Sequence, residues 1–185
     1  AVAVADWAST ANTVTGLATA NMDGVPMVCV SGQVPSHMIG NDAFQEADTV
    51  GITRAVTKHN YLVRNVDDLP RIFAEAFKIA ATGRPGPVLI DIPKDVQQKK
   101  TEATFSGDVE IRGYKPAERG HPKQIERLAQ AVREAKKPLI LAGAGVIAGD
   151  AAAELLAFAT KAGIPVATTL LGLGGFPDTH PLALR

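Results

Sequence analysis

Cysteine is almost missing from this sequence, and the one present, Cys29, lies in the apolar run Val25-Pro26-Met27-Val28-Cys29-Val30. No disulfide can form within the chain, which fits a reducing compartment, and a thiol in such a run reads as a buried strand residue rather than a nucleophile. An excess of either charge is missing too. Nineteen Lys and Arg balance nineteen Asp and Glu, so nothing points to nucleic acid or an anionic membrane, and the expected partners are small molecules and other copies of the chain. No apolar run approaches the ~20 residues that span a bilayer, and no basic stretch precedes an apolar one as in a secretory signal. His37, His121 and His180 are far apart with no metal-ligand spacing, so no metal site is assigned. An initiating Met is also missing. The chain starts on Ala1-Val2-Ala3-Val4 and stops at Arg185 after a Gly-rich loop, and both ends read as cut.

Apolar residues make up 46% of the chain and aromatics only 5%. With Ala, Val, Ile and Leu dominating, this composition predicts an α/β protein whose sheet is covered by Ala-rich helices. The length of 185 residues has room for one medium domain or two partial ones.

Residues 8–22 read as a helix opened by Ser9 or Thr10, followed by the turn Asp23-Gly24 and a strand over 25–30. From Gly32 to Thr53 the periodicity fades, apart from a short helical stretch around Asp42 to Ala47. A loop this long inside a domain is a site candidate. Asp67 and Asp68 are expected to cap an amphipathic helix with Leu69, Ile72, Phe73, Ala76, Phe77 and Ala80 on one face and Gly83 as its stop. Residues 87–93 then read as a buried parallel strand. The polar stretch 96–119 reads as a linker. Beyond it come a helix over about 122–135, a strand over 138–142, the turn Gly143-Ala144-Gly145, a helix over about 150–162, a strand over 164–168 and the loop Gly172 to Gly175. Helix and strand in alternation predict doubly wound parallel α/β structure.

Several groups could carry chemistry. Gly143, Gly145 and Gly172 follow strands, where a backbone can approach a phosphate or nucleotide, although a plain strand-to-helix turn reads equally well. Asp42-Ala43-Phe44-Gln45-Glu46 joins an aromatic, an amide and carboxylates on an irregular loop. The residues alone also admit a helix-capping Asp42 with a core Phe44. Lys58-His59 reads as a solvated loop pair or a cation beside an acid/base group. Arg84, in the stiff Gly83-Arg84-Pro85-Gly86-Pro87 turn, and Lys94, after the buried strand, read as anion contacts or as surface charges.

Certain words in order resemble a known family. Gly32-Gln33-Val34-Pro35, Met38-Ile39-Gly40, Asp42 to Glu46, Thr57-Lys58-His59-Asn60, Gly83 to Pro87 and Asp91 to Gln97 are similar to the acetohydroxyacid synthase (acetolactate synthase) catalytic subunits, which depend on thiamine diphosphate. Lys137-Pro138, Gly163 to Ala167 and Leu171 to Gly174 extend the resemblance, which runs from about residue 11 onward.

The resemblance implies that residues 1–95 are the C-terminal part of a pyrimidine-binding domain. Residues 120–185 would be the N-terminal part of a Rossmann-like, flavin-associated middle domain. It implies thiamine diphosphate, Mg2+ and FAD as cofactors, a homodimer or homotetramer of the full subunit, an optional regulatory subunit, and a cytoplasmic, plastid or mitochondrial setting. The implied reaction joins pyruvate, with loss of carbon dioxide, to a second pyruvate or to 2-ketobutyrate. By the same resemblance Gln45 stands beside the reacting carbon, and Phe44, Pro35, Ala43, Lys58 and Lys94 line the substrate channel. Gly24 and Arg84 fall to flavin contact by the resemblance, Gln45 adjoins the cofactor, and Gly143, Gly145 and Gly172 are counted with cofactor binding from their places after strands.

Two departures stand out, Asp6-Trp7-Ala8-Ser9 where a Ser-Gly-Pro-Gly turn is usual, and Gly24 where a flavin-contacting serine is usual. The family's activating glutamate lies upstream of this stretch and its metal and diphosphate motif downstream. The chain alone is therefore expected to be inactive. Other readings are a different thiamine-diphosphate carboligase or oxidase, such as glyoxylate carboligase, and a non-catalytic nucleotide-binding module.

Overall fold

The structure, a computed structural model, describes residues 1–5, 10–105, 107 and 109–184. The departure at residues 6–9 lies outside the described residues. The chain divides into two compact units, Ala1–Glu118 and Arg119–Arg185.

The first unit holds strands β1 (Val2–Ala5), β2 (Met27–Gln33), β3 (His59–Leu62) and β4 (Pro87–Pro93). Its helices are α1 (Thr10–Asp23), α2 (Thr49–Thr53), α3 (Leu69–Ala81) and the single turn α4 (Lys94–Gln97). The sheet is parallel throughout, in the order β1-β2-β4-β3. Strand β4 is buried along its whole length, as expected of a central strand covered on both faces. Alternation along β4 divides the core in two. Val88, Ile90 and Ile92 meet Ile72, Ala76, Ile79 and Ala80 of α3, and Leu89 meets Leu17 of α1 together with Cys29 of β2. Burying each of these larger side chains stabilises the fold by about 1.5–3 kcal/mol.

The loop after β2 leads to α2, which packs beside α1. The segment after β4 returns on the α3 side, where Ile111 and Tyr114 join the core. The two strands thus release the chain toward opposite faces. Their carboxyl ends form the kind of crevice in which open α/β sheets bind ligands.

The second unit holds α5 (Pro122–Glu134), β5 (Ile140–Ala142), α6 (Ala144–Ala148), α7 (Ala152–Ala162) and β6 (Val166–Thr168), with β5 and β6 parallel. Its core gathers Ala142, Ala159, Val166 and Phe176. Gly163, at φ 65°, ends α7 in the left-handed conformation that glycine adopts without strain.

Several expectations are corrected. Strand β2 runs to Gln33, past the expected end at 30. The stretch around Asp42 to Ala47 is not helical: Asp42 and Gln45 take φ of 52° and 65°, and left-handed residues cannot continue a right-handed turn. Asp48, not Asp42, caps the following helix, accepting from the Gly51 N–H at 2.8 Å. Lys58-His59 is not a free loop, because His59 opens β3. Asp68 stands at the N-cap of α3 but pairs with Arg71 at 3.0 Å instead of binding backbone, and Asn65 caps the preceding 3-10 turn. Phe77, expected on the buried face, is 48% exposed. Two elements were not foreseen, β1 at Val2–Ala5 and α6 at Ala144–Ala148, which Gly143 precedes.

Much of the stretch read as a linker lies along the first unit. The Thr101 hydroxyl bonds Asp67 at 2.5 Å, the Lys78 ammonium bonds the Val109 carbonyl, and the Tyr114 hydroxyl reaches the Thr82 carbonyl at 3.0 Å.

Candidate functional site

At the carboxyl ends of β2, β3 and β4 a cavity of about 290 Å3 is lined by residues that include Gln33, Leu62 and Asp91 from the sheet and Gly40, Glu46 and Thr49 from the chain after β2. The site is built from the sheet outward. Parallel register sets Ser31 opposite Asp91, and the Ser31 hydroxyl donates to Asp91 Oδ1 at 2.6 Å. Gln33 Nε2 donates to Asp91 Oδ2 at 3.0 Å and to the Ala47 carbonyl at 2.9 Å, while Gln33 Oε1 accepts the Val34 N–H at 2.8 Å. All three side chains are buried. Burial pushes the Asp91 carboxyl above the usual carboxylate range, against the opposing pull of hydrogen bonds from Ser31, Gln33 and Thr49.

Beyond Gln33 the chain turns outward through Pro35, which is half-buried, and a short 3-10 turn at Ser36–Met38. Asp95 ties that turn to the start of α4, accepting from the Ser36 N–H at 2.8 Å and its hydroxyl at 2.9 Å. The Glu46 carboxylate folds back to accept the N–H groups of Gly40 and, at 2.9 Å, Ala43. These backbone bonds hold Glu46 below the usual carboxylate range, and the bond from Ser36 does the same for Asp95.

Between these ties the loop presents Phe44, 88% exposed, and Gln45, also exposed, with Ala43 half-buried behind them. Lys94, exposed at the end of β4, belongs to the same edge of the sheet. The structure therefore brings Pro35, Ala43, Phe44, Gln45 and Lys94 to one edge.

Lys58 stands at the other. Its backbone N–H bonds the Pro87 carbonyl at 2.7 Å where β4 begins, about 23 Å of strand from Lys94 at 3.3 Å per residue. Its ammonium serves the carboxyl end of α3, donating to the Ile79 carbonyl and, at 2.7 Å, to the Thr82 carbonyl, where a cation also complements the helix dipole. Gly24 and Arg84 are neighbours at this amino edge: Gly24 takes φ 71°, and Arg84 Nη2 donates to the Met22 carbonyl at 2.6 Å.

In the second unit Gly143 and Gly172 meet at the carboxyl end of β5. A Cβ on Gly172 would lie 2.5 Å from the Ala142 carbonyl oxygen, so this glycine is required by packing of the chain on itself. A Cβ on Gly145 would meet nothing within 4 Å, and one on Gly143 only Thr169 Oγ1 at 3.7 Å. The backbone at Gly143 and Gly145 is therefore open on its Cβ side. No group of three His, Cys, Asp or Glu that could hold a metal ion occurs among the described residues. Among the same residues no helix is long and apolar enough to cross a membrane.

The Ser31–Asp91–Gln33 network is not apparent from these residues taken one at a time. A signal was present in three polar residues inside two apolar runs, since polar groups in a central strand require partners.

A parallel sheet with an elaborated carboxyl edge, followed by a second α/β unit, defines a class that the comparisons identify. Residues 1–52 match the N-terminal TPP binding domain of thiamine pyrophosphate enzymes and residues 125–185 match their central domain. The chain belongs to the thiamine pyrophosphate enzymes.

Within them it is similar to acetolactate synthase large subunits. It is 53% identical over 171 residues to that of Corynebacterium glutamicum, covering 92% of this chain and 27% of the relative. It is 49% identical over 176 residues to the probable acetolactate synthase large subunit of Methanocaldococcus jannaschii, covering 94% of this chain and 30% of the relative. The chain thus spans under a third of the length of these relatives. A solved structure from Mycobacterium smegmatis, described as a thiamin diphosphate-dependent enzyme, shares the fold with a TM-score of 0.81 at 24% identity, over 99% of this chain and 35% of that one.

Proposed function

We propose that this chain is part of the catalytic subunit of an acetolactate synthase, which condenses two pyruvates, or pyruvate and 2-ketobutyrate, with loss of carbon dioxide. The observation that carries this reading is the 53% identity to an acetolactate synthase large subunit across nearly the whole chain.

Thiamine diphosphate supplies the electron sink for decarboxylation when bound. The residues of this chain then have separable tasks. The Gln45 amide, both donor and acceptor, hydrogen-bonds the ketoacid carbonyl oxygen or the hydroxyl it becomes. The Phe44 ring, with Pro35 and Ala43, lines the approach and keeps water from it. Lys94 draws the anionic ketoacid toward that edge. In the first unit Gly24 and Arg84 are assigned to flavin contact; in the second, taken by itself, Gly143 and Gly145 are assigned to cofactor binding and Gly172 maintains the turn beside Gly143. The family resemblance puts the residues that hold Mg2+ in a motif downstream of this stretch. A role for Lys58 at the channel entrance requires a second copy of the chain to present it, consistent with a homodimer as the smallest catalytic unit. Residues 1–95 and 120–185 are accordingly assigned to the pyrimidine-binding and middle domains.

The test is to express the complete reading frame and assay conversion of pyruvate to acetolactate, omitting thiamine diphosphate, Mg2+ or FAD in turn. Acetolactate formation that needs thiamine diphosphate and Mg2+ supports the reading. A folded, cofactor-loaded protein that forms none, and instead joins glyoxylate units, shifts it to the alternative carboligase.

A further inference from the structure

The segment carrying Phe44 and Gln45 has no helix or strand between Met38 and Thr49, and Asp42 and Gln45 sit at positive φ. Such backbone keeps one shape only where its surroundings over-determine it. The ties that do so include Asp95 to Ser36, Glu46 to Gly40 and Ala43, and Gln33 to the Ala47 carbonyl, which the Thr49 N–H and hydroxyl also reach. The first two are made by groups at the surface, whereas the third starts inside the sheet.

The Gln33 amide is fixed at both ends. Its oxygen accepts from Val34, its nitrogen donates to Asp91, and Asp91 is itself held by Ser31. Turning the amide over would set its oxygen against the Asp91 carboxylate. A buried polar network of this kind contributes no more to stability than well-packed apolar residues of the same shape, and often less. Its distinctive product is orientation, and what it orients is the backbone two residues beyond Gln45.

We infer that Gln33 and Asp91 are positioning residues that set where the Gln45 amide meets the substrate, by anchoring the Ala47 carbonyl to the sheet. The inference rests on the reading that Gln45 contacts the ketoacid.

The experiment uses the full-length protein with Gln33→Met, which keeps side-chain length and loses the amide, Asp91→Asn, Gln45→Ala, and the pair Gln33→Met with Gln45→Ala. Displacing a reacting group by about 1 Å costs on the order of 100-fold in rate. Gln33→Met is therefore expected to lower kcat for acetolactate formation by roughly 10- to 100-fold, with the pyruvate KM and thiamine diphosphate binding little changed. Asp91→Asn should lose only about threefold, since the Ser31 hydroxyl can turn to accept from the new amide while its oxygen still receives Gln33. The paired variant should be no slower than Gln45→Ala alone, the mark of two residues acting through one step. Hydrogen exchange should rise across residues 43–47 in Gln33→Met while β2 and β4 stay protected.

Losses that multiply in the paired variant, or full activity in Gln33→Met beside a deficient Gln45→Ala, overturn the inference and leave the proposed function standing. Full activity in Gln45→Ala overturns the site reading itself, and the inference with it. Should Gln33→Met fail to fold, Asp91→Leu, which removes the group that fixes the Gln33 amide, is paired with Gln45→Ala in the same cycle, and additivity there has the same consequence.

Discussion

Phe44 leaves 88% of its surface in solvent, so the fold gains almost nothing from its ring. Phe44→Ala should move the denaturation midpoint by less than about 0.5 kcal/mol, whereas Leu89→Ala in the buried sheet should cost about 2–5 kcal/mol. A catalytic defect in Phe44→Ala without a stability defect would mark the ring as serving the site. Lys58 is the converse case. Because its ammonium holds carbonyls at the end of α3, Lys58→Met should destabilise the protein by about 1–2 kcal/mol, and an unchanged urea midpoint would remove that role. Asp91 gives a signed pH dependence. Its folded value lies above the ordinary one, so its contribution is complete below the ordinary carboxylate value of ~4 and is lost as pH rises through the folded value. The stability of Asp91→Asn relative to the parent should therefore increase as pH rises through that window, and denaturant midpoints at several pH values measure the difference. Gln45 could be read from its neighbours in the chain. The Gln33 to Asp91 bond could not, because its partners are 58 residues apart and only the β2–β4 register brings them together.

The loop after β2 is an element defined by its ties instead of by repeating backbone bonds. Glu46 and Asp95 both have lowered values through backbone N–H groups. The hold they exert is present above the ordinary carboxylate range and fades as pH falls through their lowered folded values. Amide exchange at Ser36, Gly40 and Ala43 should accelerate there before that of β4, and simultaneous release would show that the ties do not act locally. Long apolar or periodic elements, β4, α3 and α7, were legible in the sequence because burial imposes their pattern. The four-residue β3 and the five-residue α6 were not: β3 is polar at His59 and Asn60, and α6 begins at a glycine turn whose packing is non-local. The supposed helix at 42–47 failed for a related reason, since positive φ at Asp42 and Gln45 leaves no mark in hydrophobic spacing.

At the scale of the molecule, apolar surface is plentiful in both units. Val4, Phe44 and Phe105 are exposed in the first, and Ile125, Leu128, Leu141 and Leu170 in the second, where α5 buries no residue. Expressed by itself, the 185-residue chain should associate or aggregate. A monomer by size exclusion with a sharp melt would contradict this. Function in this reading depends on the division of the sheet into a chemical edge around Gln45 and Lys94 and an opposite edge around Gly24, Arg84 and Lys58. Its most direct test is an experimental structure of the full-length protein with thiamine diphosphate and a pyruvate analogue. The Gln45 amide is expected within hydrogen-bond distance of the analogue's oxygen, with Ala47 still held by Gln33. An analogue bound away from the carboxyl edge, with Gln45 facing solvent, would contradict it.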